Sequence, residues 1–348
     1  MAAFFELKNM NIQTLIDAHH ENLREPPRSH LGCSTLGHPC DRWLWLSFRW
    51  AVVDKPGGRI LRIFRRGQLE ELQAIKDLQS IGCKFSHAQK RVEFGSNVSG
   101  SLDGIIEGGL PEHELKRFVV EFKTHNKKSF DELEKKGVEL SKLTHWVQMQ
   151  VYMLGTQITQ ALYYATCKDD DRIYTEIVEL DADRATYYVN RGKRIALSDS
   201  MPEPISINPS WYECKFCPAW EFCHQSKLTK EVNCRTCAHS TATKDDQFTC
   251  AQFNNEPMPV EWQRQGCTQH VLHPDLVPWP RSVSKVEGEA VYIIDGKEVR
   301  NGEPDAYVFS SKELIADPTA CANQDDRVQE IRESFNAKII EKSVDIDT

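Results

Sequence analysis

The run Val119-Val120-Glu121-Phe122-Lys123 sets a carboxylate and an ammonium two residues apart within a segment that favours a strand. Residues two apart on a strand share a face, so Glu121 and Lys123 point the same way while Val120 and Phe122 enter the core. Alone, such a pair reads as a surface ion pair. Upstream, however, Gly100-Ser101-Leu102-Asp103-Gly104 places an aspartate in what reads as one strand from Ser99 to Ile106, expected to pair with the Glu121 strand. Two convergent carboxylates repel unless a cation sits between them, and hard oxygen ligands suit Mg²⁺ or Mn²⁺. The adjacent lysine is then placed to hold or deprotonate an attacking water, or to steady charge developing on a phosphate.

Two further groups fit that chemistry. Gln148 and Tyr152 are one helical turn apart, with Val147, Val151 and Leu154 expected on the buried face. Arg65-Arg66-Gly67 precedes Glu70 and Glu71, and the missing side chain at Gly67 lets a phosphate backbone approach the Glu71 carboxylate. Arg59, Arg62 and Arg66 are expected on one helical face leading towards Glu71, where they would contact DNA phosphates rather than bases.

This ordered set resembles the RecB-like branch of the PD-(D/E)xK nuclease superfamily. Its matching elements are Arg66-Gly67 with Glu71, Gly100 to Gly104 around Asp103, Glu121-Phe122-Lys123, and Gln148 with Tyr152. The resemblance covers about residues 30–225. It implies a restriction-endonuclease-like α/β core with a mixed central sheet flanked by helices. It also implies that Asp103, Glu121 and the Phe122 carbonyl bind Mg²⁺ or Mn²⁺, with Glu71 as an accessory ligand and Lys123 serving the water. Gln148 and Tyr152 would orient the site and the strand. The activity implied is a metal-dependent DNA exonuclease for end resection in a phage or prophage setting, with a single-strand annealing or other recombination protein as partner. Two alternatives stand beside it: an endonuclease for branched or specific sites, and a non-catalytic DNA-binding assembly module. Glu71 stands where many iron–sulfur members carry His, and Leu102 replaces the motif's proline.

The twelve cysteines form two sets and some leftovers. Cys214, Cys217 and Cys223, with Cys40 far upstream, resemble the family's four-cysteine iron–sulfur staple, which would clamp the N-terminal segment onto the end of the core. Such thiolates suit an iron–sulfur cluster or zinc, and Cys33 competes with Cys40 for the upstream role. Cys234, Cys237, Cys250 and Cys267 read as a zinc-ribbon-like site, with His239, His270 and His273 as alternative ligands. Cys83, Cys167 and Cys321 read as buried thiols.

The elements that must position these groups follow from periodicity. Helices are predicted over 10–24, 59–79, 142–156 and 183–197, and strands over 91–94, 99–106, 117–124, 161–166 and 174–180. Past Pro202, prolines and cysteines replace periodicity, suggesting a metal-knotted region rather than an apolar core. A hairpin around Asp295-Gly296 and a helix over 325–340 follow. The expected division is 1–225, a nuclease core closed by the staple; 226–275, the zinc-ribbon-like region; and 276–348, the hairpin and last helix. Net charge is −8 with mean hydropathy −0.52, so any DNA grip must come from local basic tracks at 59–66 and 116–128. The chain carries neither a long apolar run nor a signal-like start, which points to the cytoplasm and reduced thiols. It also lacks a P-loop.

Overall fold

A computed structural model describes residues 11–86, 89–282 and 286–344, with side chains to residue 335. The chain packs as two compact units: Met1–Pro39 with Asp54–Ala196, and Cys40–Val53 with Leu197–Thr348. Among the described residues no helix is long and apolar enough to cross a membrane.

In the first unit, helix α1 spans Ile12–Asn22 and α2 Gly58–Ser80. Strands β1 (Leu31–Gly32), β3 (Arg91–Gly95) and β4 (Val98–Ser101) form a small sheet ordered β1-β4-β3. Strands β2 (Phe85–Ser86), β5 (Gly104–Ile106), β6 (Phe118–His125), β7 (Gln160–Cys167) and β8 (Ile173–Glu179) form a larger one ordered β2-β5-β6-β7-β8. Only β6 and β7 run parallel in it, so the sheet is mixed, as expected. A parallel pair needs a long crossover. Here that connection is α3 (Lys127–Ser141), which the sequence reading missed, and α4 (Leu143–Thr156). Helix α5 (Ala182–Ala196) follows β8.

The helix expected over 59–79 is α2, but its apolar positions do not make one buried face: Phe64, Leu69 and Leu72 are 56%, 59% and 57% exposed. Only the C-terminal half reaches the sheet, where Ala74 and Leu78 pack with Val120, Phe122, Leu162 and Tyr164. Helix α4 is buried continuously from Trp146 to Met153, so Gln148 and Tyr152 lie in the interior and not on a polar face opposite Val147 and Val151.

The second unit begins with the helix Asp41–Phe48, which carries most of an aromatic run, Trp43, Trp45, Phe48 and Trp50. Its ties explain why residues 197–225 belong with it rather than with the first unit. The Trp45 indole donates to the Ser198 carbonyl at 2.8 Å, and Arg42 Nε donates to that of Pro202 at 2.7 Å. The Arg235 guanidinium lies 3.9 Å from the Trp50 ring and 4.2 Å from that of Phe248, and donates to the Phe48 carbonyl. The aromatic run is therefore packing. Beyond it, β9 (Ser240–Ala242), β10 (Phe248–Cys250) and β11 (Glu256–Pro257) form an antiparallel sheet, and the short helix α6 (Val260–Gln265) follows.

Strands β12 (Arg281–Ser282), β13 (Ala290–Ile294), β14 (Lys297–Asn301) and β15 (Val308–Phe309) form another sheet. The predicted hairpin joins β13 to β14, with Asp295 and Gly296 at φ 50° and 77°, the left-handed pair that a two-residue turn requires. Helices α7 (Ser311–Ala316), α8 (Pro318–Asn323) and α9 (Arg327–Val344) close the unit. The buried apolar cluster of this unit lies past the cysteine-rich stretch Cys214–Cys267: Val271, Leu272, Tyr292, Phe309 and Leu314 are buried together. The β13–β14 hairpin and α7 supply the apolar faces that the cysteine-rich stretch lacks.

Candidate active site

Strand β4 ends at Ser101 and β5 begins at Gly104, so the chain changes sheets through Leu102 and Asp103. The single strand predicted over 99–106 is thus two short ones, because its first half pairs with β1 and β3 and its second with β2 and β6. The switch takes Asp103 out of both ladders and turns its carboxylate towards β6. There Asp103 Oδ2 accepts the Phe122 backbone N–H at 3.0 Å, just past the last β5–β6 pair, Gly104 with Val120.

On β6 the alternation places Val120 and Phe122 in the core beneath α2 and leaves Glu121 and Lys123 together on the other face. The Lys123 ammonium pairs with Glu121 Oε1. Glu121 is 0% exposed, and its Oε2 is buried without a hydrogen-bond partner. Burial, reinforced by Asp103 and Glu71, pushes its carboxyl up to about 8 against the pull of Lys123. Burial also works against the Lys123 ammonium, but Glu121, Asp103 and Glu71 outweigh it and hold the proton on. The ammonium faces three carboxylates and Glu121 only one cation, so the lysine is the better satisfied of the pair.

Glu71 on α2 belongs to the same cluster: burial and then Asp103 raise it to about 7, with Lys123 opposing. The Cβ position of Gly67, one turn earlier, meets nothing within 4 Å, so the side of Glu71 towards the helix N-terminus is open. Tyr152 fixes the strand end that presents Asp103. Its hydroxyl donates to the Ser101 carbonyl at 2.8 Å, and a Cβ on Gly100 would lie only 2.7 Å from that hydroxyl oxygen. Gln148 is buried one turn before Tyr152.

Among the described residues, no three His, Cys, Asp or Glu side chains are drawn together closely enough to enclose a metal ion. Two of the carboxylate oxygens are already engaged: Lys123 occupies Glu121 Oε1 and the Phe122 N–H occupies Asp103 Oδ2. The donor set nevertheless suits a hard divalent cation, since all three groups are oxygen ligands and Glu121 Oε2 is a buried acceptor with nothing to accept.

The sequence reading missed a neighbouring network. The Tyr163 hydroxyl lies 2.9 Å from both His125 Nε2 and His145 Nδ1, and Ser129 Oγ is 3.2 Å from His125 Nδ1. Tyr163 stands opposite Glu121 in the β6–β7 register. Burial and then nearby lysines lower both histidines, His125 to about 4, so they are neutral. The period-two step from Lys123 to His125 places His125 on the Glu121 face, but nothing local in the sequence brings Tyr163 and His145 to it.

The arginines are less convergent than expected. At 100° per residue, Arg59, Arg62 and Arg66 share a sector of about 60°, but Glu71 lies roughly 120–180° away. Arg62 pairs with Asp17 of α1. Arg66 pairs with Glu70 and donates to the Lys168 carbonyl at 3.1 Å. Arg59 is exposed.

Both cysteine sets lie in the second unit, Cys40 included. Cys40, Cys214, Cys217 and Cys223 are close enough to perturb one another, and burial chiefly raises Cys217, to about 11. Cys33 belongs to the first unit, wholly buried beside Gly100. Cys234, Cys237, Cys250 and Cys267 share the wall of a cavity of about 570 Å³. Burial pushes Cys234 up to about 11 and Cys237 to about 12. The alternative ligands already have protein partners: His239 Nε2 faces the Gly288 carbonyl, His273 Nδ1 accepts the Asp275 N–H, and both nitrogens of the buried His270 are engaged. Cys83, Cys167 and Cys321 are buried thiols, as expected.

No protein-family model matches the sequence, and no curated protein is similar to it. Among solved structures, the chain is similar to the protein SSO0001 at 16% identity and TM-score 0.41, covering 62% of this chain and 96% of that one. It is also similar to the alkaline exonuclease LHK-Exo of Laribacter hongkongensis, at 15% identity and TM-score 0.34 over 51% of this chain and 90% of that one. A phage-related exonuclease from Haemophilus somnus 129PT is similar at 17% identity and TM-score 0.33, over 51% of this chain and 96% of that one.

Proposed function

We propose that this chain is a divalent-metal-dependent DNA nuclease whose site comprises Glu71, Asp103, Glu121 and Lys123. The observation that carries the reading is the fully buried Glu121 carboxylate with an unpartnered Oε2, facing two further carboxylates across one lysine. A buried anionic acceptor left empty is costly unless a cation completes it. Glu71, Asp103 and Glu121, with the Phe122 carbonyl that the family resemblance adds, would hold Mg²⁺ or Mn²⁺. When bound, such an ion supplies charge neutralisation at the phosphate and acidifies its water. Asp103 would be held in place by its bond to the Phe122 N–H, and Lys123 would orient the water or stabilise the developing negative charge. Tyr152 would position Asp103 through the Ser101 carbonyl, with Gln148 behind it. Arg59 and Arg66 would meet DNA phosphates, Arg66 on giving up Glu70.

The exonuclease mode and the recombination setting come from the resemblance. By the same resemblance, Cys40, Cys214, Cys217 and Cys223 would hold an iron–sulfur cluster. Cys234, Cys237, Cys250 and Cys267 would hold zinc.

The test is digestion of end-labelled linear and circular DNA with and without Mg²⁺. Cleavage should require the metal and should be lost in Asp103→Ala, Glu121→Ala and Lys123→Ala while DNA binding survives. An exonuclease should spare the circle. Undiminished digestion by the triple variant would refute the site.

A further inference from the structure

Ile60, Phe64, Gly67, Glu71, Ala74 and Leu78 succeed one another at spacings of three or four residues, so they form one stripe along α2. The stripe changes character along its length. Ala74 and Leu78 are buried on the sheet, and Glu71 meets Asp103 and Lys123 electrostatically. Gly67 opens onto empty space, and Phe64 is 56% exposed. Helix α1 does not cover this face. It attaches on other sides of α2, through Asp17 to Arg62 and through Glu21 Oε1, which accepts the Gly58 N–H at 2.7 Å. The bond from Arg66 to the Lys168 carbonyl ties the middle of α2 to the loop after β7.

We infer that Phe64 is a base-stacking residue for the DNA strand whose phosphate is held at the carboxylate cluster. The inference rests on the nuclease reading and deepens it. Seven residues of helix put Phe64 about 10 Å from Glu71 along the axis and only about 20° around it, close to three base steps of 3.4 Å. Between them Gly67 and Gln68 flank that line about 50° to either side, and Gly67 leaves one of the two sides clear of a side chain for the backbone to pass. More than half of the Phe64 ring is left uncovered by the described residues, on the stripe that carries a candidate metal ligand, and every base offers a π-face to cover it. The contact is indifferent to sequence, so it positions the strand without selecting it.

The experiment measures cleavage of end-labelled DNA in Mg²⁺, together with fluorescence of oligonucleotides carrying 2-aminopurine near either end, bound in Ca²⁺. Phe64→Ala should raise KM about tenfold, leave kcat within about twofold and abolish quenching of the 2-aminopurine. Phe64→Trp should restore both KM and quenching. Because the ring is exposed, thermal unfolding of the variants should match the parent protein. If Phe64→Ala cuts with unaltered KM and quenches normally while cleavage still requires Glu121, the stacking role is wrong and the nuclease reading stands. Parent protein that neither binds nor cuts DNA overturns both.

Discussion

Replacing Glu121 by Gln keeps the shape of the side chain and removes its ionisation, which isolates the cost of the buried carboxylate. Folding raises this carboxyl from the usual 4.5 to about 8, first by burial and then by Asp103 and Glu71. Between those values the folded state binds more protons than the unfolded one, so the contribution of this group is fully present below pH 4.5 and is lost as pH rises through about 8 without metal. At ~1.4 kcal/mol per pH unit the ceiling is on the order of 5 kcal/mol, and sharing of charge with Lys123 brings the expectation to about 2–4 kcal/mol. That is roughly 5–10 °C in Tm for a unit of this size. The assay is thermal unfolding of parent and Glu121→Gln proteins from pH 5 to 8.5, in EDTA and in Mg²⁺. The difference between the two cancels every titration they share. The parent should lose stability relative to the variant as pH rises, and Mg²⁺ should return it increasingly as pH approaches and passes about 8, where the ion no longer competes with a proton. Mg²⁺ should leave the variant almost unmoved. A parent curve parallel to that of the variant, or a full Mg²⁺ shift in Glu121→Gln, would refute the argument.

Tyr152→Phe should cost about 1 kcal/mol, because the hydroxyl of the buried Tyr152 gives up a part-buried bond to the Ser101 carbonyl. It should also lower kcat more than KM, since Ser101 presents Asp103; an unchanged kcat would make the bond merely structural. Metal analysis of anaerobically purified protein should find iron and zinc. Cys214→Ser should lose the iron and the brown colour, and Cys234→Ser should lose the zinc alone. A colourless protein with two equivalents of zinc would reassign the first set.

The parts of the site legible in the sequence were those fixed by local periodicity. Strand alternation is strict, so Glu121 with Lys123, and Val120 with Phe122, sorted onto opposite faces before any fold was known. The same rule ran past its range at 99–106, because nothing local marks where a strand changes partners. Only the competition between the β3 and β6 edges does that. Helix α2 was legible as a helix, but which of its apolar positions are buried was not. Its apolar spacing is genuine, but burial depends on whether a sheet lies beneath, and the sheet reaches only as far as Ala74 and Leu78. Helix α3 went unread because Gly137, at φ 73°, interrupts its pattern. The network of His125, Tyr163 and His145 depends on the β6–β7 register across a long crossover, which no sequence window spans.

The placement of Asp103 explains why the cluster needs the sheet switch. A carboxylate inside a regular strand beside β6 would spend its backbone on the ladder, and its side chain would stand perpendicular to the sheet. By leaving β4 at Ser101 and joining β5 at Gly104, the chain frees two residues to bend, and Asp103 can reach over the end of the β5–β6 ladder to the Phe122 N–H. That bond satisfies a donor left beyond the last strand pair and holds one carboxylate oxygen, in a carboxylate that acts electrostatically on Glu71 and Lys123. The Tyr152 bond to Ser101 closes the bend from the opposite side. Two bonds from two elements thus fix a residue that belongs to neither sheet. The same two bonds make its position sensitive to α4, a helix that need not touch the phosphate.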